Sequence, residues 1–332
     1  MAIERSTSSE TGSSFEPLPG NRRRPHEVTR DLVRVPNVLV NAYLFGMPEA
    51  ASGEWVVIDT GLGSGWRPIV RTARRRFGPD TRPAAIVLTH GHFDHAGSCE
   101  RLADYWDVDV YAHPDEMPYL TGQVPYPPPD PSVGGGMMAR TAGLYPRGPL
   151  ELGDRIQALP EDGSIPGMPE WEWVHTPGHT PGHVSLFRER DRLLVAGDAF
   201  VTVKQESAVA VAGQYRKVHG PPAYYTTHWP DAWDSVRRLA NLGPEIAATG
   251  HGLPMRGETL RRQLDRLVDD FDRLAVPESG RYVRFPVIAD EYGVHYVPPP
   301  SRRTGTAILS ALGLGVLAGA AYAFWRRRAG TG

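Results

Sequence analysis

Apolar positions along this chain come mostly in short runs closed by turn residues, the pattern of a sheet-rich domain. Runs at 27–35, 38–45 and 55–58 read as strands, and Asp59-Thr60-Gly61 closes the third in a turn. Residues 66–77 carry the helical period, with a basic outer face. The five apolar residues 84–88 are too few for a helix and read as a buried strand. A helix over 97–105 and a strand over 108–111 follow. Further strands are expected at 171–174, 183–187, 192–196 and 245–248, with helices at 231–242 and 258–274. Strands in runs with helices interspersed indicate an α+β fold.

Two stretches interrupt this order. Residues 122–149 are dominated by Pro and Gly, and residues 202–229 form a second insert. Long loops in a compact domain usually carry function, so both are expected to lie over a site. The ends differ from the middle. Residues 1–24 lack an apolar run and read as a disordered tail. The main domain is expected over 25–277, and 278–303 as an extension with a stiff Pro298-Pro299-Pro300 spacer. Residues 304–325 contain no charged side chain, and Arg326-Arg327-Arg328 opens a basic tail over 326–332. Roughly 20 apolar residues cross a bilayer as a helix, so a single C-terminal transmembrane helix is expected. It would anchor the chain in a membrane with the domain on the cytoplasmic side. Gly315 and Gly319 form a GxxxG pair within it; nothing else in the sequence supports an oligomer.

Composition narrows the function only a little. A net charge of -2 gives no basic surplus for phosphate backbones, so no nucleic-acid partner is expected. Cys99 is the sole cysteine, which excludes an intrachain disulfide.

Candidate chemistry starts where the buried strand 84–88 ends. Thr89-His90-Gly91-His92-Phe93-Asp94-His95 places three imidazoles and a carboxylate on one loop. Such donors suit zinc, manganese or iron. Four groups on one short loop do not easily surround a single ion, but they can divide between two neighbouring ones. Further donors follow later strands: His175, His179 and His183 in His175-Thr176-Pro177-Gly178-His179-Thr180-Pro181-Gly182-His183, Asp198 after Gly197, and His251 in Gly250-His251-Gly252. His179, Asp198 and His251 each lie beside glycine and beyond a predicted strand, so the set falls on one edge of a sheet scaffold. His113 also follows a strand and reads as structural.

In the order and content of these four motifs the chain resembles the metallo-β-lactamase fold superfamily, from about residue 28 to about residue 274. The resemblance implies an αββα sandwich. It implies one metal on His90, His92 and His179, a second on Asp94, His95 and His251, and Asp198 as a bridge. His183 then hydrogen-bonds within the fold, and Asp59 orients the loop or a ligand histidine. The implied cofactor is two divalent ions, zinc first, with iron or manganese as alternatives. The implied reaction is hydrolysis of a small ester, thioester or lactone by a hydroxide shared between the ions, with Asp94 orienting it. The alternatives are a mononuclear iron dioxygenase on the same scaffold and a phosphodiesterase.

Within the superfamily, a bridging Asp198 resembles the glyoxalase II, lactonase and ribonuclease Z branches and disfavours antibiotic hydrolysis. Lactonases carry Tyr where this chain has Val201. The Gly-Cys-Gly-Arg stretch of glyoxalase II is replaced by 199–205. Substrate is expected to meet Lys204, His219, Tyr224 and Tyr225 of the second insert.

Overall fold

A computed structural model describes residues 24–300. Seven strands form the first sheet in chain order: β1 (His26–Thr29), β2 (Leu32–Asn37), β3 (Val40–Phe45), β4 (Val56–Ile58), β5 (Ala85–Val87), β6 (Val110–Ala112) and β7 (Ile156–Ala158). The first four are antiparallel neighbours, and β4 to β7 run parallel. The second sheet has the order β12-β11-β10-β9-β8, from β8 (Glu172–His175), β9 (Val184–Arg188), β10 (Leu193–Gly197), β11 (Ile246–Thr249) and β12 (Met255–Arg256).

Alternation along the strands sorts the core into layers, because successive side chains of a strand face opposite sides. In β10, Leu193 and Val195 join the cluster between the sheets, while Leu194 and Ala196 face outward. In β4, Val56 and Ile58 point to the inter-sheet cluster and Val57 to the opposite side. The outer face of the first sheet is covered by α1 (Trp66–Phe77) through Ile69, Val70, Ala73 and Phe77. Cys99, Leu102, Ala103 and Trp106 of a later helix complete that cover. The outer face of the second sheet is covered by the helices Trp229–Asn241 and Gly257–Asp269. The result is the expected αββα sandwich.

Several expected elements divide. The run 27–35 breaks at Arg30 and Asp31, where the β1–β2 turn lies. The helix expected over 97–105 is α3 (Cys99–Trp106), and an unexpected short helix, α2 (Phe93–Ala96), precedes it across Gly97 and Ser98. A Cβ at Gly97 would stand 2.2 Å from the Phe93 carbonyl oxygen and 2.7 Å from the Gly63 nitrogen, so only glycine fits. The inserts are not structureless: the first holds a helix at Met137–Thr141 and the second one at Ala208–Gly213.

Residues 278–300 pack back on the domain. They carry the hairpin β13 (Ile288–Asp290) and β14 (Gly293–Tyr296). Ahead of it, the Arg281 backbone donates to Asp130 Oδ2 at 2.5 Å and Val287 donates to the Thr227 carbonyl at 3.2 Å. This segment therefore straps both inserts.

The transmembrane expectation is corrected. The longest helices among the described residues have 13 residues, or about 20 Å at 1.5 Å per residue, against a ~30 Å hydrocarbon core. Among the described residues no helix is long and apolar enough to cross a membrane. Residues 304–325, on which that expectation rested, lie outside the described residues. The fold class of the described residues is the αββα sandwich with no membrane-spanning helix among them, and the anchor and the cytoplasmic orientation inferred from it are withdrawn.

Candidate metal centre

The strand ends deliver the donors. Thr89 to His95 leave β5 and enter α2; Thr176 to Gly182 join β8 to β9; Asp198 follows β10; His251 follows β11. His90, His92, His95, His179, Asp198 and His251 are all buried, and Asp94 is half-buried.

Seven side chains converge from these loops. Donor atoms of His90, His92 and His179 lie within 4.8 Å of one another, and so do those of Asp94, His95 and His251. Asp198 lies between the two groups. Its Oδ2 is 3.1 Å from His251 Nε2 and 3.6 Å from His179 Nε2, and its Oδ1 is 3.5 Å from His95 Nε2. His251 Nε2 is also 3.5 Å from Asp94 Oδ2.

Outer hydrogen bonds aim the rings. Asp59 Oδ2 is 2.8 Å from His95 Nδ1, and the same carboxylate accepts from the Thr89 backbone and hydroxyl at 2.8 to 3.1 Å. Thr89 Oγ1 is in turn 3.1 Å from His90 Nδ1. One carboxylate thus orients His95 directly and His90 through a hydroxyl, a frequent arrangement around metal-binding histidines. His251 Nδ1 donates to the Leu39 carbonyl at 2.7 Å, and His179 Nδ1 is 3.4 Å from Thr226 Oγ1. His183 stays outside the cluster: its Nε2 accepts the Asp198 backbone N–H at 2.9 Å and so fixes the Gly197-Asp198 turn. His175 lies apart, with Nε2 donating to the Pro181 carbonyl at 2.8 Å.

The donor set fits cations. His90 Nε2, His95 Nε2 and Asp198 Oδ1 are buried without a hydrogen-bond partner, and such atoms cost free energy unless something pairs with them. His92 Nδ1 and His179 Nε2 face each other at 3.1 Å. Burial, followed by the surrounding imidazoles, holds His90 and His92 well below the usual histidine range. Burial takes His179 down to about 4 against the pull of Asp198. These three rings are neutral, as ligands must be. Burial opposes charge on His95 and Asp198 alike, yet their mutual attraction, with Asp59 and His251, raises His95 and keeps Asp198 ionised well below the carboxylate range. The carboxylates call for positive charge at this spot. A Cβ on Gly250 would stand 2.1 Å from Asp198 Oδ1 and 2.6 Å from His95 Cε1, so glycine leaves the room these donors occupy.

Both inserts reach the centre, through tyrosines. The Tyr126 ring lies 4.6 Å from His92, and the Tyr225 ring 4.4 Å from it on a tilted face. Tyr224 is buried 5.1 Å from Tyr225. Lys204 is exposed, and His219 pairs with Val201 in an isolated bridge. Burial, then Lys217 and Lys204, takes His219 down to about 4.

Sequence reasoning overlooked three buried residues. Asn41 Nδ2 donates to the carbonyls of Thr249 and Gly252, both at 2.8 Å, tying the first sheet to the His251 loop. Arg34 holds Asn41 in place at 2.6 Å. Glu116 bonds both the His90–His92 loop and the loop after His179. None sits in a recognisable motif: Arg34 and Asn41 lie within β2 and β3, and Glu116 in the turn after β6.

A family model described as the metallo-beta-lactamase superfamily matches residues 35–251. The chain is 44% identical over 263 residues to the probable metallo-hydrolase YflN of Bacillus subtilis, covering 79% of this chain and 95% of that protein. It is 28% identical over 170 residues to the probable metallo-hydrolase YybB of the same organism, covering 51% and 64%. A beta-lactamase domain protein from Burkholderia ambifaria is similar in fold, with a TM-score of 0.52 at 19% identity over 78% of this chain and 75% of that one.

Proposed function

The chain belongs to the metallo-β-lactamase superfamily and is a metal-dependent hydrolase, and from that footing we propose that it cleaves a small ester, thioester or lactone at a two-ion centre. The carrying observation is the completeness of the donor set: two three-donor groups with Asp198 between them. On this reading His90, His92 and His179 hold one ion, Asp94, His95 and His251 the other, and Asp198 both, within a catalytic unit of residues 25–277. Ions held there, zinc first, would acidify water toward neutral pH and polarise the acyl oxygen.

The remaining work falls to the side chains. Asp94, half-buried at 3.5 Å from His251, accepts a hydrogen bond from the attacking water and fixes its direction. Tyr126 and Tyr225 flank His92 and exclude bulk water, which strengthens each charge interaction inside. The Tyr225 hydroxyl is buried with no hydrogen-bond partner. Burial, then nearby Asp94, keeps that phenol protonated. It is the group available to donate to the substrate's developing oxyanion. Loss of one such donor costs on the order of a hundredfold in kcat, so Tyr225→Phe is expected to lower kcat about that much with metal content unchanged. An unaltered kcat would reduce Tyr225 to packing.

A single iron atom would leave either His90, His92 and His179 or Asp94, His95 and His251 without an ion. Metal analysis beside ester, thioester, lactone and phosphodiester substrates tests the reading. Two ions per chain with acyl hydrolysis supports it. One iron with oxygen uptake, or cleavage of the phosphodiester alone, overturns it.

A further inference from the structure

We infer that Glu116 is a positioning residue that sets the spacing between the His90–His92 loop and the His179 loop, and through it the hold of the three-histidine half of the centre on its ion. The inference rests on the two-ion reading above.

Glu116 is fully buried at the end of the turn Pro114–Glu116 that follows β6. No cation pairs with its carboxylate among the described residues. It is instead met by four donors. Oε2 accepts from the Gly91 backbone at 2.9 Å and from the Tyr126 hydroxyl. Oε1 accepts from Thr180 Oγ1 at 2.6 Å and from the Gly182 backbone at 2.9 Å. Gly91 stands between His90 and His92, and Thr180 directly follows His179. One oxygen therefore holds the ligand loop of the first sheet and the other holds the ligand loop of the second.

The chemistry of the contacts makes the carboxylate specific. All four neighbours donate, and only a group with two accepting oxygens satisfies them. An amide of the same shape turns its NH2 toward one pair of donors, losing two hydrogen bonds and opposing two N–H or O–H dipoles. Aspartate is a methylene shorter and cannot reach both loops from the same backbone position. The walls leave no slack. A Cβ at Gly182 would stand 2.8 Å from both Glu116 Cγ and the Glu116 nitrogen, and one at Gly91 would stand 2.5 Å from the Tyr126 hydroxyl. Four directional bonds in a space this closed fix the loops relative to each other in a way apolar packing does not. The Tyr126 bond adds the first insert to the same node, so insert and ligand loops share one anchor.

The test compares the full-length protein with Glu116→Gln, Thr180→Val and Tyr126→Phe. Each is titrated with cobalt(II) and zinc, followed by metal content and by the cobalt absorption bands, alongside kcat, KM and melting temperature. Partners of this kind typically contribute 10- to 100-fold to metal affinity. Glu116→Gln is expected to keep one tightly bound ion and to weaken the other by about that range. Its cobalt spectrum should change, and kcat should fall more than KM rises. Thr180→Val and Tyr126→Phe should shift the same ion in the same direction by less. Glu116→Gln with two ions at wild-type affinity and only a lower melting temperature would overturn the inference. Should that variant fail to fold, Thr180→Val decides: unchanged affinity for both ions has the same force. Wild-type protein that binds one ion would instead sink the two-ion reading.

Discussion

Among the described residues two regions gather histidine and aspartate donors, and one of them is built like a metal centre. Donor atoms of His113, Asp115 and His175 also come within 4.8 Å of one another. The rings differ in orientation. Around His90, the His92 and His179 rings stand at 85°, and those two meet each other at 87°. His113 and His175 lie face to face, 4.1 Å apart and 11° from parallel. An imidazole nitrogen binds an ion in the plane of its ring, and two parallel planes cannot share one ion. The bonding differs as well. At the centre, the outward nitrogens of His90, His95, His179 and His251 are tied, while His90 Nε2, His95 Nε2 and Asp198 Oδ1 are orphaned. In the second group His113 Nδ1 caps the turn by accepting from the Asp115 backbone at 3.2 Å. The number of donors within reach does not make a site; the directions of their lone pairs do.

The most severe way to test this contrast is to remove the carboxylate that lies between the two donor groups. Asp198→Ala takes away the one group between both halves. Polarisation by bound ions is worth several kcal/mol, and each 1.36 kcal/mol is tenfold in rate. Activity should fall by about a thousandfold or more, with metal content reduced and the circular dichroism spectrum kept. Full activity with two ions retained would remove Asp198 from the centre.

A milder change leaves all seven donors and disturbs only their aim. Asp59→Asn keeps the shape but replaces one accepting oxygen beside His95 and Thr89. A loss of about 10- to 100-fold in metal affinity or kcat is expected. Wild-type titration curves in this variant would show that the rings need no such support.

The smallest effect is expected at the second group. His113→Gln should leave metal content and kcat at pH 8 unchanged; a lost ion would reverse the contrast. Its signature is in stability. Burial, then His175, lowers His113 from 6.5 to about 4. The unfolded chain therefore binds this proton more readily than the folded one between those values. The contribution of neutral His113 is present above about pH 6.5 and is lost as pH falls toward 4. The variant's melting temperature should decline less steeply across that window, and an identical slope would assign the acid sensitivity to other groups.

Much of this centre was legible because its donors sit in short glycine-flanked motifs directly after strands, where local pattern and position agree. The strands were legible as short apolar runs closed by turns, and the αββα arrangement came from the resemblance; the sorting of Val56, Val57 and Ile58, or of Leu193 to Ala196, into alternate layers appears only in the structure. Glu116, Asn41 and Arg34 were not legible, since a buried polar residue is defined by partners far away in sequence. The Asn41 bonds to Thr249 and Gly252 cross more than 200 positions, and no local signal carries them. The break at Asp270, after Gly257–Asp269 and before Phe271–Leu274, was hidden inside an uninterrupted helical period. The membrane expectation shows the converse. It rested on the uncharged run 304–325 and its arginine flank, with no second observation tying that segment to the rest of the fold.

The division of donors between the sheets also bears on how the chain matures. His90, His92, Asp94 and His95 follow a strand of the first sheet, and His179, Asp198 and His251 follow strands of the second. During synthesis the first four emerge long before the last, so on the two-ion reading a nascent chain would offer metal only a partial set until His251 has left the ribosome. Once captured, ions would act as a rivet between two halves, favouring the native state by mass action. A chelator should then loosen the seam between the sheets as well as stop turnover, and metal supply would govern how much of the newly made protein survives as well as how fast it works.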